Sequence, residues 1–361
     1  MKMNRELVVL LAGLGNVGSL LSLLLVRIPQ VIRVVLLDPD VVEAKNVSAQ
    51  AYDRDDVGLA KVDAVKAKLV RVRPEVEVVA LRARLEDLPR GYFRHVVVLA
   101  LDGNAARRVA ARNAWAMGGF LVDAAVNGGA GLARVTEVDA VSGAGCWECA
   151  WGAELSSVPP ARHSCATVPP TNAPAALGGL AASVAAMRVL ERGRRESPGE
   201  TAEIVTTGTE AFRTVIPGNP DCPFGHERHE LELLRDFDFG QTLGSIFDLV
   251  QADSLRLPGF LWNLKSRCVK CAREHPWIRV ARGGESGSCA HCGGPLIRLG
   301  FHEFDSLERE LLSAGDLSRC LEEIGLGPGD VLIPGDSSQA LLLGDPLGPP
   351  SQPLTPEPGM P

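Results

Sequence analysis

The stretch of sequence that decides the fold is Leu7-Val-Val-Leu-Leu-Ala-Gly-Leu-Gly-Asn-Val-Gly18. Its β-branched and leucine-rich first half is typical of a buried parallel strand, and Ser19 to Val26 predict the helix that follows. Glycines between a strand and a helix let backbone N–H groups approach a phosphate at the helix N-terminus, where the helix dipole favours an anion. We therefore predict a glycine-rich nucleotide loop at Gly13, Gly15 and Gly18.

Strands and helices alternate from this loop to about Val122. A second strand ends at Asp38, twenty residues after Gly18, where a carboxylate can accept hydrogen bonds from ribose hydroxyls. A strand from Val96 to Leu101 ends at Asp102, and this order predicts a doubly wound, Rossmann-like α/β fold. The remaining predicted elements are helices at Val57 to Val72, Ala105 to Met117 and Pro174 to Leu190, and strands at Val31 to Leu37, Val76 to Leu81, Phe120 to Val126 and Ala130 to Val138.

Composition excludes several classes of function. The chain has 361 residues, 46% of them hydrophobic, and its net charge of −7 argues against nucleic acid or an anionic membrane as the main partner. Leu7 to Val26 carries no charge, but its glycines would break an apolar helix, so we reject a signal peptide or membrane span and expect a cytoplasmic protein. In that reducing compartment, the nine cysteines favour metal binding over disulfides.

The chain is predicted to have three regions. Residues 1–238 form the α/β domain, which includes a proline-rich crossover segment at 151–172. Residues 239–336 form a small separate domain around two CxxC pairs. Proline and glycine dominate residues 337–361, so we expect a disordered tail there.

The C-terminal domain carries the most regular metal pattern in the chain. Cys268-Val-Lys-Cys271 and Cys289-Ala-His-Cys292 are separated by seventeen residues, which is the spacing of a zinc ribbon. Four thiolates leave no open coordination position for catalysis, so we predict a structural or interaction role.

Three further segments resemble the ThiF/MoeB/HesA superfamily, whose members use ATP to activate ubiquitin-like modifiers or sulfur carriers. They are Asp38-Pro-Asp-Val-Val-Glu-Ala-Lys-Asn46, Asp56-Val-Gly-Leu-Ala-Lys61 and Leu99-Ala-Leu-Asp102-Gly-Asn-Ala-Ala-Arg107, and the resemblance covers roughly residues 7 to 226. It implies that Asp38 holds the ribose, that Asn46 lines the phosphate site, and that Asp102 positions Mg²⁺. The nucleotide-binding set implied by the resemblance is Gly13, Gly15, Gly18, Asp38, Asp40, Asn46, Gln50, Lys61, Asp102 and Arg107.

Elementary electrostatics supports two of these assignments. Attack of a carboxylate on an α-phosphate brings two anions together, so a cation and a metal must offset the charge. Lys61 and Asp102 are the plausible suppliers, and we predict both as catalytic residues. The alternative is that Lys61 is a solvated helix residue and that Asp102 only caps the next helix.

The sequence departs from the superfamily at one arginine. The usual Asn-x-x-Arg-Gln is replaced by Asn46-Val-Ser-Ala49-Gln50, so the arginine that contacts phosphate in relatives is missing. Arg54, Arg107 or a residue of a second protomer is a candidate substitute, and members of the superfamily are commonly homodimers. The alternative is a pseudoenzyme that keeps the fold without ATP turnover.

Cys165 is the candidate nucleophile. It lies in His163-Ser-Cys165-Ala-Thr-Val-Pro-Pro, before an alanine-rich helix, and this placement resembles the ubiquitin-fold-modifier activating enzymes. A nearby helix N-terminus and the neighbours Arg162 and His163 would lower the cysteine pKa and populate the thiolate. The alternative is a small buried cysteine at the start of a packed helix.

A second zinc site is implied near the end of the α/β domain. Cys146-Trp-Glu-Cys149 supplies one pair, and superfamily members often have a second CxxC where this chain has Cys222-Pro-Phe-Gly225. Because Gly225 replaces the fourth cysteine, we predict that His226 completes a Cys₃His site. The alternatives are that His229 is the fourth ligand and that the site has lost zinc.

The leading functional hypothesis is an activating enzyme with two structural zinc ions. It would adenylate the C-terminal glycine of a ubiquitin-like protein, form a thioester on Cys165, and transfer the modifier to a conjugating-enzyme-like carrier. The zinc-ribbon extension looks like those of the activating enzymes that bacterial ubiquitin-like conjugation operons encode. Some of these operons serve antiviral defence. The alternatives are sulfur-carrier adenylation without a thioester and a non-catalytic scaffold. An NAD-dependent dehydrogenase would leave Lys61, Asp102 and the CxxC pairs without a role.

Overall fold

The structure is a computed structural model of the chain, and it describes residues 5–143, 145–150, 173–194, 200–207, 210–282 and 287–348. The chain divides into two compact units: the first includes residues up to 85 and 93–228, and the second includes residues 86–92 and 229–348. Within the described ranges, each helix is too short or too polar to cross a membrane.

The first unit alternates strands and helices from its beginning. Apolar, β-branched segments form its strands, and segments with one apolar face form its helices. Its strands are β1 (Leu7–Ala12), β2 (Val31–Leu37), β3 (Glu77–Leu81), β4 (Val96–Leu99), β5 (Phe120–Asn127), β6 (Leu132–Asp139), β7 (Ala202–Thr206) and β8 (Ala211–Val215), and its helices are α1 (Asn16–Leu25), α2 (Lys61–Val72), α3 (Asn104–Ala116) and α4 (Ala175–Arg194).

These strands form one sheet in the order β3-β2-β1-β4-β5-β6-β7-β8. β3, β2, β1, β4 and β5 are parallel, and the last three pairings are antiparallel. Helices α1, α2 and α4 share one core cluster with alternate strand residues such as Val9 and Leu11. The intervening residue Leu10 is also buried but lies outside that cluster, as expected for a sheet covered on both faces. The predicted doubly wound α/β fold is confirmed.

The second unit contains two smaller sheets, of which one has the strand order β15-β10-β16-β17-β9 and the other joins β12, β11, β13 and β14. A core that includes Phe247, Trp262 and Leu332 is buried within this unit. Its elements are β9 (Glu230–Leu234), α5 (Leu243–Val250), β10 (Ser254–Arg256), β11 (Leu261–Cys268), β12 (Glu274–Ala281), β13 (Leu296–Arg298), β14 (Glu303–Phe304), β15 (Ser306–Glu308), α6 (Ala314–Leu317), β16 (Asp330–Pro334) and β17 (Gln339–Leu343).

Two predicted boundaries need correction. The domain boundary was placed after residue 238, yet β9 belongs to the second unit because it pairs in parallel with β17, as in Leu233 with Leu342. The predicted disordered tail began at residue 337, yet β17 lies inside that range and buries Ala340, Leu342 and Leu343. A short apolar segment within this region rich in proline and glycine, Gln339–Leu343, therefore forms a strand. Residues 349–361 lie outside the described ranges.

Candidate nucleotide site and cysteine clusters

The glycine turn between β1 and α1 leaves little room for side chains. Gly13 has φ +89°, and a Cβ added there would lie 2.5 Å from the carbonyl oxygen of Ala100. A Cβ on Gly18 would lie 1.8 Å from the carbonyl oxygen of Gly13. Beside Gly15, by contrast, no heavy atom lies within 4 Å of the added Cβ, and no side chain caps the start of α1. The turn therefore presents open backbone at a helix N-terminus, which suits a phosphate.

Asp38 connects this turn to the end of β2. Its side chain is buried, Oδ2 accepts a 2.7 Å hydrogen bond from the backbone N–H of Leu14, and Oδ1 accepts one of 2.9 Å from Asp40. The carboxylate that is predicted to bind ribose thus also fixes two backbone segments of the site.

Lys61 begins α2 and points toward two carboxylates. Its Nζ lies 2.9 Å from Oδ2 of Asp40 and 3.8 Å from Oδ1 of Asp38. Asp40 is exposed at the surface, whereas Lys61 is largely buried. A buried ammonium with an exposed counter-ion is well placed to exchange that partner for a phosphate. Lys61 is therefore not a solvated helix residue, and its catalytic role remains a prediction.

Asn46 and Gln50 lie in the loop after β2. The Oδ1 atom of Asn46 accepts a 2.8 Å hydrogen bond from the backbone N–H of Glu43, which commits this oxygen to the local turn. The Oε1 atom of Gln50 is buried and has no hydrogen-bond partner among the described residues. Because buried polar atoms are nearly always paired, Gln50 is a reasonable contact for a bound ligand.

Strand order brings the glycine turn and Asp102 to one edge of the sheet. β1 and β4 are parallel neighbours, and the N–H of Ala100 donates a 2.8 Å hydrogen bond to the carbonyl of Ala12. Asp102 follows β4 as an exposed residue. The chain adds β2 and β3 on one side of β1 and then continues with β4 on its other side. Ligands of doubly wound sheets bind in the crevice where the order of strands switches sides in this way.

Arg107 does not face this crevice as an open cation. It is buried on α3, where one nitrogen donates to Oδ1 of Asp123 and another to the carbonyl of Leu101. Its guanidinium is therefore committed to holding the turn before Asp102, and the structure assigns it this role in place of the predicted nucleotide contact. Arg54 is exposed on a short 3₁₀ helix, Arg54–Asp56, and remains a candidate substitute for the missing arginine.

Sequence analysis missed two residues that shape the turn. The Tyr52 hydroxyl donates a 2.8 Å hydrogen bond to the carbonyl of Leu14, and Oγ of Ser19 accepts one of 3.0 Å from Ala51. Burial, followed by the nearby charges of Asp38, Asp56 and Asp40, raises the pKa of Tyr52, so its hydroxyl stays protonated and able to donate. The available sequence signal for Tyr52 was a single aromatic residue two positions after Gln50.

The first cluster consists of Cys146, Cys149, Cys222 and His226, whose ligand atoms all lie within 4.8 Å of one another. The Sγ of Cys146 lies 3.7 Å from that of Cys149 and 3.6 Å from that of Cys222, and Nε2 of His226 lies 3.2 Å from Sγ of Cys149. Zn–S bonds of about 2.3 Å at tetrahedral angles place sulfurs about 3.8 Å apart. The donor set and spacing therefore fit zinc.

The second cluster consists of Cys268, Cys271, Cys289 and Cys292 at one end of β11 and β13. Sγ of Cys268 lies 3.4 Å from that of Cys292, and Sγ of Cys271 lies 3.7 Å from that of Cys289. Nε2 of His275 is 3.2 Å from Sγ of Cys289, as an outer partner of a thiolate would be. This site also fits zinc. The predicted nucleophile Cys165 and its neighbours Arg162 and His163 lie outside the described residues.

Comparison with known proteins identifies the family of this chain. The sequence model of the ThiF family matches residues 1–224. The chain belongs to the ThiF family. This confirms the predicted superfamily. The solved structure of Escherichia coli MccB with MccA-N7isoASN has a TM-score of 0.50 and 17% identity, and the match covers 62% of this chain and 68% of MccB. At that identity the likeness concerns the fold alone.

Two ThiF-family relatives share a short segment with this chain. Ubiquitin-like modifier-activating enzyme 5 of Caenorhabditis elegans is 35% identical over 74 residues, which are 20% of this chain and 17% of the relative. The tRNA threonylcarbamoyladenosine dehydratase of Bacillus subtilis is 41% identical over 71 residues, which are 19% of this chain and 28% of the relative. The chain thus spans less than a third of either relative in these matches.

Proposed function

We propose that this ThiF-family protein uses ATP and Mg²⁺ to adenylate a carboxylate. The observation that carries the proposal is the shared sheet edge, where the open turn at Gly15 and the exposed Asp102 follow the neighbouring strands β1 and β4. The cation of Lys61 pairs with Asp40, just after β2. In the reaction, a substrate carboxylate oxygen bonds to the α-phosphorus, and the bond to the β-phosphate oxygen breaks to release pyrophosphate. Family membership and the crevice geometry support this chemistry.

Each residue has a distinct proposed task. The backbone at Gly13 and Gly15 would cradle phosphate, and Asp38 would accept hydrogen bonds from the ribose. Lys61 would leave Asp40 and neutralise phosphate charge, since its ammonium already lies at the site. Mg²⁺ supplies charge neutralisation when bound, and Asp102 is its proposed protein ligand, because Mg²⁺ commonly binds one or two carboxylates together with phosphate oxygens.

We propose a ubiquitin-like protein that ends in glycine as the substrate. The name of the C. elegans relative supports this class, although the match is short. The Cys165 thiolate would attack the acyl carbon of the adenylate, forming a C–S bond and releasing AMP. The thiol of a conjugating-enzyme-like carrier would then attack the thioester carbon. A C–S bond to the carrier would form as the C–S bond to Cys165 breaks, and the carrier's proton would pass to the Cys165 sulfur.

The two cysteine clusters are proposed as structural zinc sites. Neither cluster has an open coordination position, and the second lies in the second unit. We also propose that the protein is cytoplasmic and homodimeric. In a homodimer, the second protomer could supply the cation that is missing because Ala49 replaces the arginine of relatives. Sulfur-carrier adenylation and an inactive scaffold are the competing functions.

ATP–pyrophosphate exchange tests the proposal, with a ubiquitin-like protein encoded next to this gene as substrate and a nonreducing gel of the products. We expect exchange and a thiol-sensitive conjugate that disappears in Cys165→Ala. Exchange without such a conjugate would favour sulfur-carrier chemistry. ATP binding without exchange across several neighbouring substrates would favour the inactive scaffold.

A further inference from the structure

Asp123 is a fully buried carboxylate on β5 that joins three parts of the first unit. Oδ1 accepts a hydrogen bond from Arg107 on α3. Oδ2 accepts a 2.9 Å hydrogen bond from Nε1 of Trp147, and Nη2 of Arg134 lies 3.9 Å from the same oxygen. A buried carboxylate is costly unless it is paired, so this group holds strand, helix and tryptophan in one arrangement.

One end of this arrangement reaches the crevice. Arg107 bonds Asp123 through Nη1 and the carbonyl of Leu101 through Nη2, and both nitrogens lie 3.3 Å from the carbonyl of Ala124. Leu101 immediately precedes Asp102 in the chain. A guanidinium that bridges a strand and a loop carbonyl fixes the path of that loop, because its planar donors cannot follow independent movements.

The other end reaches the first cluster. Trp147 lies between Cys146 and Cys149, so the metal ligands fix the backbone that carries the indole. Helix α3 also contacts the segments that carry the cluster ligands through direct hydrogen bonds from two of its side chains. Arg112 Nη2 donates a 2.9 Å hydrogen bond to Glu148, and Trp115 Nε1 donates one of 3.2 Å to the carbonyl of His226.

We propose that Asp123 is a positioning residue that couples the first cluster to the turn that carries Asp102. The path runs from Trp147 through Asp123 and Arg107 to the carbonyl of Leu101. Only the consequence for Mg²⁺ rests on the proposed function, since it requires Asp102 to be the metal's ligand. A purely structural ion pair would stabilise the fold without controlling this turn, and the two roles can be separated.

Trp147→Phe is the first test variant, because it keeps an aromatic ring and removes the N–H that Asp123 accepts. Trp115→Phe is the matched control: it also deletes an indole N–H, one that donates to the carbonyl of the cluster residue His226, but it leaves Asp123 untouched. Hydrogen exchange by mass spectrometry would follow the peptide that contains residues 100–104, and zinc content would be measured in parallel. We expect hydrogen exchange of this peptide to be about tenfold faster in Trp147→Phe and unchanged in Trp115→Phe. A change of about tenfold is the effect of losing one hydrogen bond to a charged acceptor.

Arg107→Lys provides a second variant that keeps the buried charge but cannot bridge Asp123 and Leu101 with a planar fork. It should also speed exchange of the 100–104 peptide. Both test variants should weaken ATP binding about tenfold in Mg²⁺, measured by calorimetry, and leave binding in EDTA unchanged. Unchanged exchange in both folded variants would overturn the inference. If the variants showed faster hydrogen exchange but the wild-type protein bound no ATP, the coupling would be supported and the proposed function rejected.

Discussion

Lys61 is paired with carboxylates before any nucleotide arrives. Its closest partner, Asp40, is 2.9 Å away and is itself exposed, so water can solvate this carboxylate once the ammonium turns to another anion. A triphosphate presents more charge than one carboxylate and can displace Asp40 at little cost. The pair therefore keeps the ammonium oriented in the free protein and leaves it available to a substrate.

Lys61→Ala is expected to reduce ATP–pyrophosphate exchange about 100-fold, because it removes a fixed cation from the developing phosphate charge. Lys68→Ala is the matched control on the same helix, where Lys68 pairs with Asp53 and Asp56 instead. It should retain most of the exchange rate. Similar rates in the two variants, each measured at saturating ATP, would show that Lys61 has no special role.

Asp102 and Cys165 are expected to act at different steps. Asp102→Ala should abolish adenylate formation, since the site loses its proposed Mg²⁺ ligand. Cys165→Ala should still exchange pyrophosphate but should form no conjugate that a reducing agent cleaves. Radiolabelled AMP release and nonreducing gels would distinguish the steps. Wild-type behaviour by both variants in these assays would mean that the site is assigned to the wrong residues.

Spacing along the chain was sufficient to predict the residues that follow parallel strands. Asp38 and Asp102 could be proposed in this way because parallel strands deliver their ends to one edge. Lys61 begins α2, and it was proposed from its place in the superfamily pattern. The role of Arg107 on α3 could not be predicted, since its partner Asp123 is on β5 and no local pattern connects the two residues. Tyr52 was missed for the same reason: its hydroxyl bonds Leu14, 38 residues earlier.

Among the elements, the glycine turn offers a test that separates folding from binding. A Cβ on Gly18 would collide with the backbone of Gly13, whereas one on Gly15 would project into open space. Gly15→Ala should therefore preserve the urea unfolding midpoint and lower ATP affinity, because the methyl group would occupy the proposed phosphate position. Gly18→Ala should lower the midpoint itself. If Gly15→Ala bound ATP as wild type does, the phosphate would not lie at this turn.

The two clusters predict two zinc ions for each chain. Cys149→Ser or Cys271→Ser should each reduce the zinc content from about two to about one ion per chain, because each removes one of four ligands. Cys320→Ser is a suitable control, as Cys320 belongs to neither cluster. Zinc would be counted by mass spectrometry after gel filtration. One ion lost in the Cys320 variant would contradict the assignment.

The strands and helices from β1 to β6, together with α4, could be predicted, but several of their ends could not. The predicted helix at Val57 to Val72 begins at Lys61, after a short 3₁₀ helix and a bridge between Val41 and Ala60. That bridge is long-range and leaves no periodic signal. β9 and β17, like the other strands after β6, were not predicted. They pair with each other across about a hundred residues, and such a pairing leaves no local signal in the sequence.

At the scale of the whole molecule, residues 86–92 are notable because they belong to the second unit although they connect β3 to β4 of the first. Arg90 anchors them there. Its guanidinium donates to the carbonyls of Leu88, Pro258 and Gly259 and lies 4.5 Å from the centre of the Phe260 ring. Burial lowers the pKa of Arg90 to about 10, so the side chain stays charged at neutral pH.

Arg90→Ala is expected to lower the free energy of unfolding of the full chain by about 3 kcal/mol, since three carbonyls lose a charged donor. Arg84→Ala, at an exposed position just before the segment, should change it by less than about 0.5 kcal/mol. Denaturant titration followed by tryptophan fluorescence measures both, because Trp262 lies in the core of the second unit. Equal stability of the two variants would show that Arg90 does not anchor the segment.

The seven residues that include Arg90 also limit how this protein can be divided or recombined. A gene fragment that starts at residue 229 would encode the second unit without its 86–92 segment, and Gly91, whose N–H bonds the carbonyl of Gly329, would be left behind. An exchange of this unit between two homologous genes would need two further crossovers, one on each side of the coding sequence for residues 86–92. Inheritance of the two units as one block is therefore the simplest evolutionary history, even though only one of them contains the proposed nucleotide site.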